Sequence, residues 1–169
     1  MSILVIPAIL VGLLFAWALN RAFRGVQRSP DRKIRFAAGA GKSFLLWLIV
    51  GASPFLLILL SGPGRSLYMF MTGLAVELPM ALIGTIVLWF GVPAKKSALL
   101  IGLLVGGALA PLVLWSLALI LPKNETTMGL ALYGIILAAP NAFAGAVAGH
   151  WRAQSAIGSA EAKSRPLPL

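Results

Sequence analysis

The sequence predicts an all-α integral membrane protein with five transmembrane helices, and three observations predict it. Of the 169 residues, 60% are apolar and only 11% are charged, whereas a soluble domain is roughly 45–50% apolar and about 25% charged. The apolar residues gather in five runs, each close to the roughly 20 residues a helix needs to cross a bilayer. The cations between those runs alternate in number from gap to gap, as they do in a chain that weaves through a membrane. A mean hydropathy of +0.97 agrees. Residues 1–151 are thus read as a single transmembrane domain.

The runs are residues 3–19, 44–61, 67–90, 97–121 and 128–149. None shows the alternation of a barrel strand, and an open strand in lipid leaves its backbone unsatisfied, so all five are read as helices. The first gap holds Arg21, Arg24, Arg28, Arg32, Lys33, Arg35 and Lys42, the third holds Lys95 and Lys96, and the tail holds Arg152, Lys163 and Arg165. The second gap has only Arg65 and the fourth only Lys123, a split of 12 against 2. Positive charge stays inside, so the N-terminus is expected outside and the C-terminus in the cytoplasm. Ala16-Trp17-Ala18 resembles a signal-cleavage site, but Met1-Ser2 lacks the basic side chain that usually goes with one, so the first run is read as a retained span.

The first gap has room for structure of its own. Arg21, Arg24 and Arg28 stand at helical spacing, which carries the first helix past its apolar run. Ser29-Pro30-Asp31 reads as a new helix start, with Ser as the cap, Pro in the first turn and an acid beside it. Gly39 and Gly41 are expected to end that short segment, and Lys42-Ser43 to anchor and cap the second span. Two readings of Arg21, Arg24, Arg28, Arg32, Lys33 and Arg35 stand: contacts to anionic lipid headgroups, or solvated charges that only set orientation. Residues 152–169 carry Ser, Gly, Lys, Arg and Pro without a packing pattern and are expected to be disordered.

Two short motifs mislead. Gly41-Lys42-Ser43 resembles the end of a phosphate loop, but the position that needs the first glycine is Phe36. Asn124-Glu125-Thr126 matches a glycosylation sequon in a loop that holds the Asn against the membrane. A longer pattern concerns the last four spans. Laying spans two and three over four and five matches Lys42-Ser43 to Lys96-Ser97, and Pro79, Ala81 and Gly84 to Pro140, Ala142 and Gly145. The readings are a parallel duplication about an axis along the membrane normal, or chance agreement between helices rich in Leu, Ala and Gly. Small residues at four-residue spacing mark packing faces: Gly102 and Gly106 on the fourth span, Gly145 and Gly149 on the fifth. Pro54, Pro79, Pro111 and Pro140 lie inside spans, and each leaves the carbonyl four residues back without its helical donor.

Glu77 is the one formally charged residue inside a span, about 3 Å from its centre. An ionised group there costs several kcal/mol, so it is expected to be protonated, hydrated or paired. Gly73, Ala81, Gly84 and Thr85 share its side of the helix, so it is expected to face protein, with Ser53 and Asn141 as its companions at similar depth.

No cysteine is present, and the sole His (His150) and sole Asp (Asp31) lie outside the runs. The chain is therefore expected to be no enzyme and to take no cofactor, metal or nucleic acid. Its expected function is that of a non-enzymatic accessory, assembly or structural subunit of a membrane complex, with lipid and other membrane subunits or further copies of itself as partners. The alternative is a small oligomeric transporter or channel with Glu77 as a protonatable midplane carboxylate. An Ala/Leu/Gly/Arg-rich composition points to a bacterial inner membrane.

Overall fold

The computed structural model describes residues 2–27, 29, 31–61, 66–95, 97–120 and 125–164. The regular structure among them is entirely helical: α1 Ser2–Ala22, a short α2 Arg24–Gln27, α3 Arg32–Ser61, α4 Ser66–Ile86 continued by a π-helical turn Val87–Gly91, α5 Ser97–Ile120 and α6 Glu125–Ser164. Four stretches are long and apolar enough to cross a membrane: Arg32–Phe55, Phe70–Gly91, Ser97–Ser116 and Leu132–Ser155. In α1 the apolar stretch Ile9–Ala22 is shorter. The outward faces are apolar, with Leu78, Leu82 and Ile86 exposed on α4 and Leu100, Leu104 and Leu112 on α5.

Three local expectations are corrected. Gly39 and Gly41 do not end a helix, because α3 runs unbroken from Arg32 to Ser61. Asp31, and not Ser29, caps it: Oδ1 accepts from the Lys33 N–H at 2.8 Å, while the Asp31 carbonyl accepts the first helical bond from Arg35 N at 3.1 Å. Lys42 and Ser43 therefore fall in mid-helix. The third correction concerns residues 152–164 of the tail expected to be disordered; residues 165–169 lie outside the described ones. α6 is helical to Ser164, held at its base by buried Trp151 and by Arg152, whose Nε donates to the Val92 carbonyl at 3.3 Å. Good helix formers in Ala-Glu-Ala-Lys carry it onward. At about 1.5 Å per residue, α3 spans about 45 Å and α6 about 60 Å, both longer than a hydrocarbon core of about 30 Å.

The bundle is two antiparallel hairpins joined along α3 and α6. In α5–α6 the contact is backbone on backbone. A Cβ on Gly102 meets the Gly145 backbone, one on Gly106 meets Ala142 Cα at 3.1 Å, and one on Gly149 meets Leu99 Cα at 2.8 Å. The pairing steps up one helix and down the other, four residues at a time. Four-residue spacing keeps each glycine on the same face, and removing Cβ lets the axes close in.

The α3–α4 hairpin works differently, with bulk seated in glycine notches. Trp89 occupies the space over Gly39, Trp47 that over Gly84, and Phe55 that over Gly73. α1 lies across the seam, where Gly12 approaches Val50 of α3 and Phe143 of α6, both at 2.9 Å from an added Cβ. Two apolar clusters result. One gathers Leu46, Trp47, Leu88, Trp89, Ala148 and Trp151 at the end where α3 begins. The other holds Phe55, Met80, Ala110, Leu114 and Leu137 toward the far end, with the Phe55 and Tyr133 rings stacked at 6.0 Å.

Open and packed glycines should respond oppositely to one added methyl. Gly41 has nothing within 4 Å of an added Cβ, so Gly41→Ala should raise thermal stability by up to about 1 kcal/mol through helix propensity. Gly106→Ala should lower it by about 1–3 kcal/mol by overpacking against α6. Thermal unfolding in detergent measures both, and equal responses would contradict the packing described.

Candidate functional site around Glu77

The side of α4 that carries Glu77 is lined with small residues, and that side faces α3. Gly73 and Gly84 receive Phe55 and Trp47, Ala81 is wholly buried, and Glu77 between them is 0% exposed. Its carboxyl group occupies the notch over Gly51, with Oε1 at 2.9 Å from an added Cβ. From the third helix, Asn141 Nδ2 donates to Glu77 Oε1 at 3.3 Å and to the Leu137 carbonyl at 3.1 Å. One carboxyl thus meets α3, α4 and α6. Along α6, Asn141 lies between Leu137 of one apolar cluster and Ala144 of the other.

Two buried oxygens here lack a hydrogen-bond partner, Glu77 Oε2 and Asn141 Oδ1, as does Thr85 Oγ1 about two turns further along α4. The first two are acceptors on groups that already share one bond. An ionised carboxylate offers neither a donor, whereas one proton on Glu77 supplies a donor to that pair. Lys42, the nearest cation along α3, is nine residues from Gly51, about 13 Å of helix away. The site therefore holds a buried carboxyl with one oxygen bonded to Asn141 and the other without a partner.

Of its two expected companions, the structure brings Asn141 to Glu77 and gives Ser53 other work. Ser53 Oγ donates to the Val50 carbonyl at 2.7 Å. That carbonyl is the one Pro54 deprives of its helical N–H, so the hydroxyl repairs the proline defect within its own helix. Gly51 completes the site. Gly51 escaped the sequence analysis because a notch is defined by what fills it.

A second polar cluster, also missed, lies where α3 begins and α6 leaves the bundle. Lys42 is 0% exposed, with Nζ at 3.2 Å from Asn20 Oδ1 and 3.8 Å from the centre of the Trp151 ring. Ser43 Oγ donates to the Gly39 carbonyl at 2.9 Å and accepts from Trp89 Nε1 at 2.9 Å. Arg152 lies over the Trp89 and Phe36 rings at 5.2 and 5.5 Å. The Trp residues beside Lys42 and Arg152 are the sequence signal, legible only once helices far apart in the chain are paired.

The basic residues of the first gap are mostly outward. Arg21, Arg24, Arg32 and Lys33 are exposed, with Arg21 at 5.7 Å from the Trp17 ring centre. Arg35 is half-buried and donates to the Ser29 carbonyl at 2.8 Å. Arg28 and Pro30 lie outside the described residues, as does the sequon asparagine Asn124. Among the described residues, no three His, Cys, Asp or Glu side chains gather as a metal site.

The Gly51 notch predicts a compensating pair. Gly51→Ala should destabilise the fold by about 1–3 kcal/mol because its Cβ displaces the carboxyl group. Glu77→Ala should remove most of that penalty in the double variant, a coupling that a double-mutant cycle of thermal stabilities measures. Additive effects would mean that the two residues do not meet.

Compared with known protein families, curated proteins and solved structures, the chain has no match.

Proposed function

We propose that this chain is a non-enzymatic accessory or structural subunit of a membrane assembly, in which buried polar groups fasten helices to one another. The observation that carries the reading is how those groups are used. Asn141 ties α6 to Glu77 of α4, Trp89 of the π-helical turn ties to Ser43 of α3, and Lys42 ties α3 to Asn20 of α1 and Trp151 of α6. Ser53 is committed to a backbone carbonyl of its own helix. The proposal includes a five-span topology in a bacterial inner membrane, with α1 as a span, the N-terminus outside and the C-terminus cytoplasmic. The 12-to-2 cation split and the exposed apolar face of α1, with Leu13, Leu14 and Trp17, support it.

A second reading has its own observation. The orphaned Glu77 Oε2 and Asn141 Oδ1 favour a carboxyl that changes protonation within a transport cycle. Purification in lipid with bound chains left attached separates the two. Heterologous partners support the accessory reading, and a symmetric homo-oligomer with a hydrated cavity at Glu77 supports transport.

Glu77→Gln keeps shape and hydrogen bonding but exchanges no proton. The accessory reading expects full assembly and thermal stability from this variant, within about 1 kcal/mol of the parent. Loss of proton-dependent flux in proteoliposomes, with assembly intact, would replace it with the transport reading.

Single cysteines are easily placed in a chain that has none. Positions 28, 96 and 165 should label from one side of sealed vesicles and positions 65 and 123 from the other. Labelling of 28 and 65 from the same side would overturn the five-span topology.

A further inference from the structure

The basic cluster at the end where α3 begins is built around cations that have no counter-anion among the described residues. Arg152 is half-buried beside the bundle, its guanidinium carbon 5.2 Å from the centre of the Trp89 ring and 5.5 Å from that of the Phe36 ring, and its Nε donates to the Val92 carbonyl at 3.3 Å. A guanidinium has five N–H donors in a fixed fork, and those on the two Nη atoms have no acceptor among the described residues. Arg32, exposed on the first turn of α3, stands one helical turn before Phe36, whose ring centre is 5.5 Å from Arg152. Lys42 adds a third, fully buried cation one helical stretch further in. No carboxylate among the described residues pairs with Arg32, Lys42 or Arg152. The acid next in sequence, Asp31, turns its Oδ1 to the Lys33 N–H.

An anion between like charges relieves their mutual repulsion. The Nε bond and the two rings position Arg152 and leave its Nη donors for two oxygens of one group, the pairing that suits a phosphate. The aromatic side chains extend from the guanidinium into the apolar flank of the bundle, where Phe90 is exposed and packs edge-on to Phe36 at 5.2 Å. A ligand fitted to both parts has a phosphate at one end and hydrocarbon at the other.

We propose that Arg152 and Arg32 form a binding site for the headgroup phosphate of one anionic phospholipid, whose acyl chains lie along Phe90. The inference rests on the chain's being a membrane protein and is independent of the role of Glu77. It differs from a diffuse basic surface in naming two residues, one of them held by a backbone carbonyl and two rings.

The test is native mass spectrometry of the full chain in nonionic detergent, titrated with phosphatidylglycerol or phosphatidylcholine. The parent should retain one phosphatidylglycerol in preference to phosphatidylcholine. Arg32→Ala should weaken that binding roughly fivefold, the effect of about one cation near a headgroup. Arg152→Lys should weaken it by a similar factor although the net charge is kept, because the fork is lost. Arg24→Ala removes the same charge as Arg32→Ala from another exposed position and should change binding less than twofold.

Equal losses from Arg24→Ala and Arg32→Ala, or undiminished binding by Arg152→Lys, would overturn the site. Competition by millimolar inorganic phosphate as strong as by the lipid would overturn the lipid assignment. If Arg152→Lys unfolds, the exposed Arg32 decides alone. Failure of the parent to enter phosphatidylcholine vesicles at all would instead refute the membrane reading, a separate outcome from insertion without lipid preference.

Discussion

Lipid tails are as apolar as leucine, so helices in a bilayer gain little by hiding leucine from their surroundings and must gain by touching each other closely. This chain achieves contact with glycine in two ways. In α5–α6, Gly102, Gly106, Gly145 and Gly149 bring backbone against backbone. In α3–α4, Gly39, Gly51, Gly73 and Gly84 each make room for a large or polar side chain from across the seam. The first arrangement makes a tight pair with no space for chemistry. The second makes a row of sockets, and whatever fills a socket is held from three sides. Glu77, Trp89, Trp47 and Phe55 owe their positions to that row.

The polar interior follows from the same geometry. A side chain seated in a socket is cut off from solvent and has to find partners within the bundle. Trp89 finds one, because its indole N–H meets Ser43 one turn beyond the notch that holds its ring. Glu77 finds one for Oε1 and none for Oε2. The contrast separates a side chain fully absorbed into packing from one that keeps unspent hydrogen-bonding capacity.

Much of this was legible in the sequence, and the failures have a common cause. The apolar runs and the packing role of small residues can be read locally, since they depend on composition and a four-residue period. Ser53 was locally legible too: it stands three residues after the carbonyl that Pro54 orphans, yet depth alone made it a companion of Glu77. The continuous α3 was hidden because Gly39 and Gly41 look like helix breakers. Gly39 is in fact the notch for Trp89, fifty residues later in the chain. The burial of Lys42 depends likewise on Asn20 and Trp151, which no local pattern joins to it.

The π-helical turn at Val87–Gly91 has a bearing on how this fold tolerates changes of length. Such a turn holds one residue more than an α-helical turn, so the chain rotates by an extra increment just before it leaves α4. That rotation sets Leu88 and Trp89 side by side in the interior and ends at Val92, whose carbonyl receives Arg152. The surplus residue acts as a spacer: it sets the angle at which the connection departs toward α5 without altering the register of the helix beneath. Shortening the turn by one residue would leave α3 and the earlier part of α4 meshed as before, yet swing Trp89 off Gly39 and carry the Val92 carbonyl away from α6.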